Sequence, residues 1–144
     1  MKTIRTFIAI TFTLGFLLAC GGGGSSSGGT SYNVTGGWAG IYREELSGGS
    51  IFCQFNINGN LVQVGTNVSG TFVLSLASKS SGATCVEGNW DINGTLSGNK
   101  ITVTQDGTSA IFTINNNNNI SGSFNFMEDG VSGSARVNIG RQSS

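Results

Sequence analysis

The chain has 144 residues, with seven basic and seven acidic side chains, 24 glycines, three cysteines, and neither histidine nor proline. Without histidine, the usual nucleophile–base pairs and zinc ligand sets lack a member. With so few cations, no basic stripe exists to neutralise nucleic-acid phosphates. Neither a cofactor nor a nucleic-acid partner is expected.

Met1 to Thr6 carries Lys2 and Arg5, and Phe7 to Leu18 is an almost unbroken apolar run that stops at Cys20. A charged start and an apolar stretch of about a dozen residues are the proportions of an export signal. A membrane span needs roughly 20 apolar residues. Leu17-Leu18-Ala19-Cys20 resembles the lipobox of bacterial lipoproteins. That resemblance implies cleavage before Cys20, thioether lipidation of its sulfur and acylation of the new amino terminus. The lipid bilayer becomes a partner through acylated Cys20. Each buried methylene contributes about 0.8 kcal/mol, so two or three acyl chains hold a domain where one would not. In the family's sorting pattern, aspartate after the cysteine favours inner-membrane retention. Gly21 stands there instead, which implies the outer membrane of a two-membrane cell.

Gly21 to Thr30 contains only Gly, Ser and Thr. Such a stretch buries no apolar surface and reads as a flexible tether. The organisation expected is a signal over 1–19, the lipidated cysteine and tether over 20–32, and one folded domain over 33–144. With Lys2 and Arg5 removed, five basic residues face seven acidic ones, a net charge near −2. Cys53 and Cys85 remain in an oxidising setting and are expected to pair.

After the tether, apolar residues recur at every second position, the period of a half-buried strand. A phrase also recurs: Val34-Thr35-Gly36-Gly37-Trp38, Val68-Ser69-Gly70-Thr71-Phe72, Ile120-Ser121-Gly122-Ser123-Phe124 and Val131-Ser132-Gly133-Ser134-Ala135, with Leu96-Ser97-Gly98 a truncated echo. Its first, third and fifth residues fall on one face, so each copy reads as a strand opening on an apolar anchor and a bend-permitting glycine.

The first strand is predicted over Val34–Tyr42, with a loop from Arg43 to Ser50. The second starts at Ile51 and turns Cys53, Phe55 and Ile57 inward. Asn58-Gly59-Asn60 is read as a bulge rather than a hairpin, because only a continuous strand leaves Cys53 and Cys85 at the same end of the sheet. The bulge would change the parity and send Val62 and Val64 inward. The third strand, Val68–Leu76, turns Phe72, Leu74 and Leu76 inward. The fourth, Cys85–Asn93, does so with Val86, Trp90 and Ile92, and Asn93-Gly94 with Gly98-Asn99 marks the next reversal. Lys100–Gln105 and Ser109–Ile114 flank an Asp106-Gly107 hairpin turn. The asparagines at 115–119 turn the chain into Ile120–Met127. Glu128-Asp129-Gly130 then leads to Val131–Ile139.

About eight strands joined by short turns predict an all-β domain: a single small antiparallel up-and-down barrel, or alternatively an open β-sandwich. Gly36-Gly37-Trp38, with Arg136 and Arg141 late in the chain, is similar to the calycin pattern of lipocalins and avidins. There a tryptophan closes one barrel end, and in lipocalins an arginine lies across its ring. The resemblance implies such a contact for Trp38 and carries no binding residue with it.

Glu87 and Asp91 lie four residues apart on one strand, about 13 Å, too far for the paired carboxylates of a retaining glycosidase. With no close acid pair or free thiol to act as base or nucleophile, an enzyme is not expected. Outward positions rich in Ser, Thr, Asn and Gln argue against a transmembrane barrel. Trp38, Tyr42, Phe72, Trp90 and Phe124 face inward, to line a ligand pocket or to fill the core. Two readings follow. One is a non-catalytic, lipid-anchored envelope module meeting an unknown protein or glycan partner. The other is a carrier or sensor holding a small apolar ligand at one barrel mouth.

Overall fold

The computed structural model describes residues 32–46, 49, 51–105, 108–128 and 130–143. The expected export signal, Cys20, the expected tether as far as residue 31, the Asp106-Gly107 turn and Asp129 lie outside the described residues. Eight strands form a closed antiparallel barrel in which every strand pairs with its sequence neighbours and the last returns to the first. They are β1 (Gly36–Leu46), β2 (Ile51–Val64), β3 (Asn67–Lys79), β4 (Gly88–Ser97), β5 (Lys100–Gln105), β6 (Thr108–Asn116), β7 (Asn119–Glu128) and β8 (Val131–Arg141). The barrel, rather than the sandwich, is the architecture.

The alternation of the sequence becomes the wall of the barrel. Ile57, Phe72, Leu74, Ile101, Val103, Ile114 and Ile139 are buried inside, while Asn56, Asn58, Ser69, Thr71, Thr102 and Asn138 are exposed. Closing β1 on β8, from Trp38 opposite Arg141 to Leu46 opposite Gly133, joins the last strand to the first.

Cys53 and Cys85 are joined, with Cα atoms 5.8 Å apart. β2 runs unbroken through Asn58-Gly59-Asn60, as the position of that bond requires. The expected bulge is not there. The register shift between β2 and β3 lies instead at Gln54/Phe55, and parity continues, so Leu61 is buried at 3 % exposure whereas Val62 and Val64 are 49 % and 71 % exposed. The break in the apolar pattern is an inward glycine. Phe72 stands opposite Gly59, and a Cβ on Gly59 would lie 2.1 Å from the Thr71 carbonyl oxygen and 2.9 Å from the Phe72 ring.

Three further boundaries differ from expectation. β1 continues to Leu46, because Glu44 and Glu45 keep the ladder with Cys53 and Phe52. Cys85, Val86 and Glu87 precede β4, held in place by the disulfide and by the Glu87 carboxylate, which accepts from the Leu76 amide at 2.5 Å. Asn93-Gly94 does not turn: both pair with β3, and the chain reverses only at Gly98, whose φ of 58° suits glycine. Asn117-Asn118 makes the turn between β6 and β7, where the shift at Ile114/Asn116 leaves Asn115 as the extra residue.

Candidate functional site

The five inward aromatic residues do not form one site. Trp38, Gly59, Phe72 and Trp90 occupy successive positions of a single row across β1 to β4. Trp38 is fully buried near the Gly36 end of β1, and its indole nitrogen donates to the Val34 carbonyl at 2.8 Å. The Arg141 guanidinium lies 4.6 Å above the indole ring. It donates to the carbonyls of Thr35 at 2.7 Å and Asn117 at 2.8 Å, and also to that of Asn33. Trp38 is therefore a plug at this end of the barrel. Arg136 lies elsewhere, exposed on the outer wall.

Tyr42, Trp90 and Phe124 belong to a chain of ring contacts. Tyr42 is 5.4 Å from Trp90, Trp90 is 6.1 Å from Phe112, and Phe112 is 6.5 Å from Phe124. Tyr42 and Phe72 are buried, while Trp90 and Phe124 are half-buried and pack against the core. Of the five aromatic residues, only Phe72 and Trp90 line the core cavity, with Ile57, Val103, Phe112 and Val137 among other apolar side chains, and it measures about 30 Å³. That is room for about two waters, against walls that offer them no hydrogen-bond partner. Small-molecule sites begin at roughly 300 Å³.

Glu44 was not expected inside. A first strand that ends at Tyr42 places Glu44 in a loop, whereas the alternation continued to Leu46 carries it inward beside Tyr42. It is 6 % exposed, and the Tyr42 hydroxyl donates to its Oε1. Burial, and secondarily the Glu44 charge and hydrogen bond, push the Tyr42 phenol well above its ordinary pKa. Asp91, by contrast, is an outward carboxylate that accepts from the Thr71 hydroxyl at 2.6 Å. With Glu87 bound to the Leu76 amide, the two acids of this region each have a structural partner.

The larger concavity lies on the outer wall. A groove of about 710 Å³ crosses β1, β8, β7 and β6. One row of its floor is Arg43, Arg136, Ser123 and Ile111; the next is Ile41, Asn138, Ser121 and Thr113. Asn115, the extra residue of β6, adds its side chain at one end. Arg43 is fixed: its Nε donates to Glu45 Oε1 at 2.6 Å, and its guanidinium lies 4.1 Å over the Phe52 ring. Arg136 stands directly opposite Arg43. Cβ atoms of such cross-strand partners are about 4.5 to 5.5 Å apart, and like charges so placed repel.

No protein-family model matches the chain, and no curated protein matches it in sequence. Among the described residues, no three of His, Cys, Asp or Glu gather into a potential metal site. The groove was invisible to sequence reading because it exists only through the β1–β8 closure, which brings Arg43 and Arg136 together from 93 positions apart. The outward parity of both positions was the available signal.

Proposed function

We propose that the protein is a non-catalytic envelope module, fastened to the outer membrane through acylated Cys20, that meets its partner with the outer wall of the barrel. The observation that carries this reading is the filled interior: the space left within the core is about 30 Å³, against the roughly 300 Å³ at which small-molecule sites begin. Recognition by side chains needs surface that a partner can reach, and the filled interior leaves that to the outer wall. The described amino-terminal residues and the end of β8 meet at the plugged end of the barrel, where Arg141 binds the Asn33 and Thr35 carbonyls. A tether from Cys20 enters there, and the disulfide end points away from the anchor.

Intact mass and fatty-acid labelling of the native protein test the anchor. The expected result is a mature chain starting at an acylated Cys20, and loss of both label and membrane attachment in Cys20→Ser. A different amino terminus, or attachment that survives the substitution, overturns it. The rival carrier reading draws on half-buried Trp90 and Phe124, but it needs the cavity to grow about tenfold. Tryptophan fluorescence titrated with lipophilic ligands should show no saturable change. A saturable one would favour the carrier.

A further inference from the structure

The acidic side chains are segregated along the barrel axis. The plugged end carries the turns Gly65-Thr66, Gly98-Asn99 and Asn117-Asn118, together with the chain at Asn33 and at Arg141. No Asp or Glu lies within six positions of any of those turns, nor anywhere in 32–43 or 130–144. All seven acidic residues belong to the half nearer the disulfide. Glu44 and Glu45 stand near the end of β1, Glu87 just before β4, Asp91 in its first half and Glu128 at the end of β7, while Asp106 and Asp129 fall in sequence between β5 and β6 and between β7 and β8. Even Asp91 is seven positions from Gly98, about 20 Å along the strand.

Two cations occupy the end that the acids avoid. Lys100, at the start of β5, is exposed and makes no ion pair among the described residues. Arg141 spends its hydrogen bonds on neutral carbonyls, which leave its charge in place. Nearer the disulfide, Arg43 is neutralised by Glu45, and Lys79 donates to the Ala83 carbonyl. The plugged end also has apolar surface. β1 stops pairing with β2 at Leu61, so Val62 and Val64 extend past it, both exposed.

An end that is positive, free of acidic side chains and edged with small aliphatic groups matches the interface of an anionic bilayer. Such a surface attracts Lys and Arg and repels carboxylates. The effect fades within a Debye length of about 8 Å, so only the near end of the barrel feels it. The chain ahead of the barrel brings that surface within reach: twelve residues separate Cys20 from Tyr32, a span of at most about 40 Å, and they join the barrel at this same end. We propose that the plugged end docks on an anionic bilayer, with Lys100 and Arg141 at the headgroups and Val62 and Val64 against the interface, so that the barrel stands upright with its acidic end outward. The inference rests on the reading of Cys20 as a lipid anchor and adds a protein–lipid contact that a tether alone does not require.

The test uses the purified lipidated protein in vesicles of neutral phosphatidylcholine and in vesicles that also contain anionic phosphatidylglycerol. A fluorophore is attached at Thr66→Cys, in the turn after β2, or at Ser132→Cys, near the disulfide end, and is quenched by a lipid with a nitroxide headgroup. In anionic vesicles the label at position 66 should be quenched at least about threefold more than the label at position 132. Closeness to the tether favours position 66 in every lipid, so the dependence on lipid charge carries the test. The ratio should fall at least about twofold in neutral vesicles, at high salt and in a Val62→Ser/Val64→Ser/Lys100→Gln variant. All three of those positions are exposed, so the variant should keep its melting temperature. Equal quenching at the two positions, stronger quenching at position 132, or a ratio indifferent to lipid charge or to the triple substitution would each overturn the proposal. Fatty-acid analysis and co-sedimentation with the vesicles separate the two failures. A protein without acyl chains that stays in solution removes the anchor and the docking together, whereas an acylated, sedimenting protein with a charge-indifferent ratio removes the docking alone.

Discussion

Tyr42 and Glu44 place a polar pair inside an otherwise apolar wall. The Tyr42 hydroxyl satisfies a buried carboxylate oxygen, and the phenol resists ionisation because its anion would sit in low dielectric beside that carboxylate. Its folded pKa is raised, so the native state retains a proton that the unfolded chain releases. Stability from this group is intact below the unfolded value near 10 and falls as pH rises above it, by up to about 1.4 kcal/mol per pH unit. Urea unfolding between pH 8 and 11 should show this decline, and Tyr42→Phe should flatten it. At neutral pH the same variant should lose about 1 to 3 kcal/mol, because Glu44 loses a hydrogen-bond donor in a buried place. An equally steep alkaline decline in Tyr42→Phe would assign the effect to another group.

At the scale of a strand, β2 shows what decides register. Its period-2 pattern has a gap at Gly59, and two local devices fill such a gap: a bulge that shifts parity, or an inward glycine covered by a neighbour's ring. Phe72 across the ladder provides the second. The choice rests on a residue 13 positions away, so the local pattern in β2 left it open. Asn93-Gly94 carries the same lesson. An Asn-Gly pair has strong turn chemistry, yet alternation on both sides, Ile92 and Leu96 inward, keeps β4 going. Strand existence was legible because alternation is local. Strand ends were less so, because pairing with a neighbour overrides turn propensity. Gly59→Ala should cost about 1 to 3 kcal/mol, since the added methyl meets the Thr71 carbonyl and the Phe72 backbone rather than a movable side-chain tip. Chemical denaturation checks this; a neutral effect would mean that β2 and β3 separate there at little cost.

At the scale of the molecule, the eight antiparallel strands and the Cys53–Cys85 bond follow from signals spread along the chain, namely alternating segments, short turns and two cysteines, whereas the choice of barrel over sandwich rests on the β1–β8 pairing. The groove did not follow, because Arg43, Arg136, Ser121 and Asn138 share a surface only once strand order and register are known. The disulfide spans 32 residues and holds the segment before β4 to the wall of β2. On the chain-entropy estimate it contributes about 3 to 4 kcal/mol. A Cys53→Ala/Cys85→Ala double variant should unfold at correspondingly lower denaturant while the barrel's far-ultraviolet signature persists. Loss of that signature in buffer alone would show that the bond is needed for folding itself.

Arg141, at the end of β8, binds the carbonyls of Asn33 and Thr35, more than 100 residues earlier. The meander closes on itself like a hoop whose clasp is the β1–β8 ladder, pinned at one end by that side chain, and where the polypeptide starts is almost arbitrary to the hydrogen-bond ladder. Joining Gln142 to Asn33 by a few glycines and opening the hoop at Gly65-Thr66 should yield a permuted barrel with the same eight strands in a new order along the chain. The native order matters less to the hoop than to its cargo of sequence ahead of Asn33, which needs one free end to hang from.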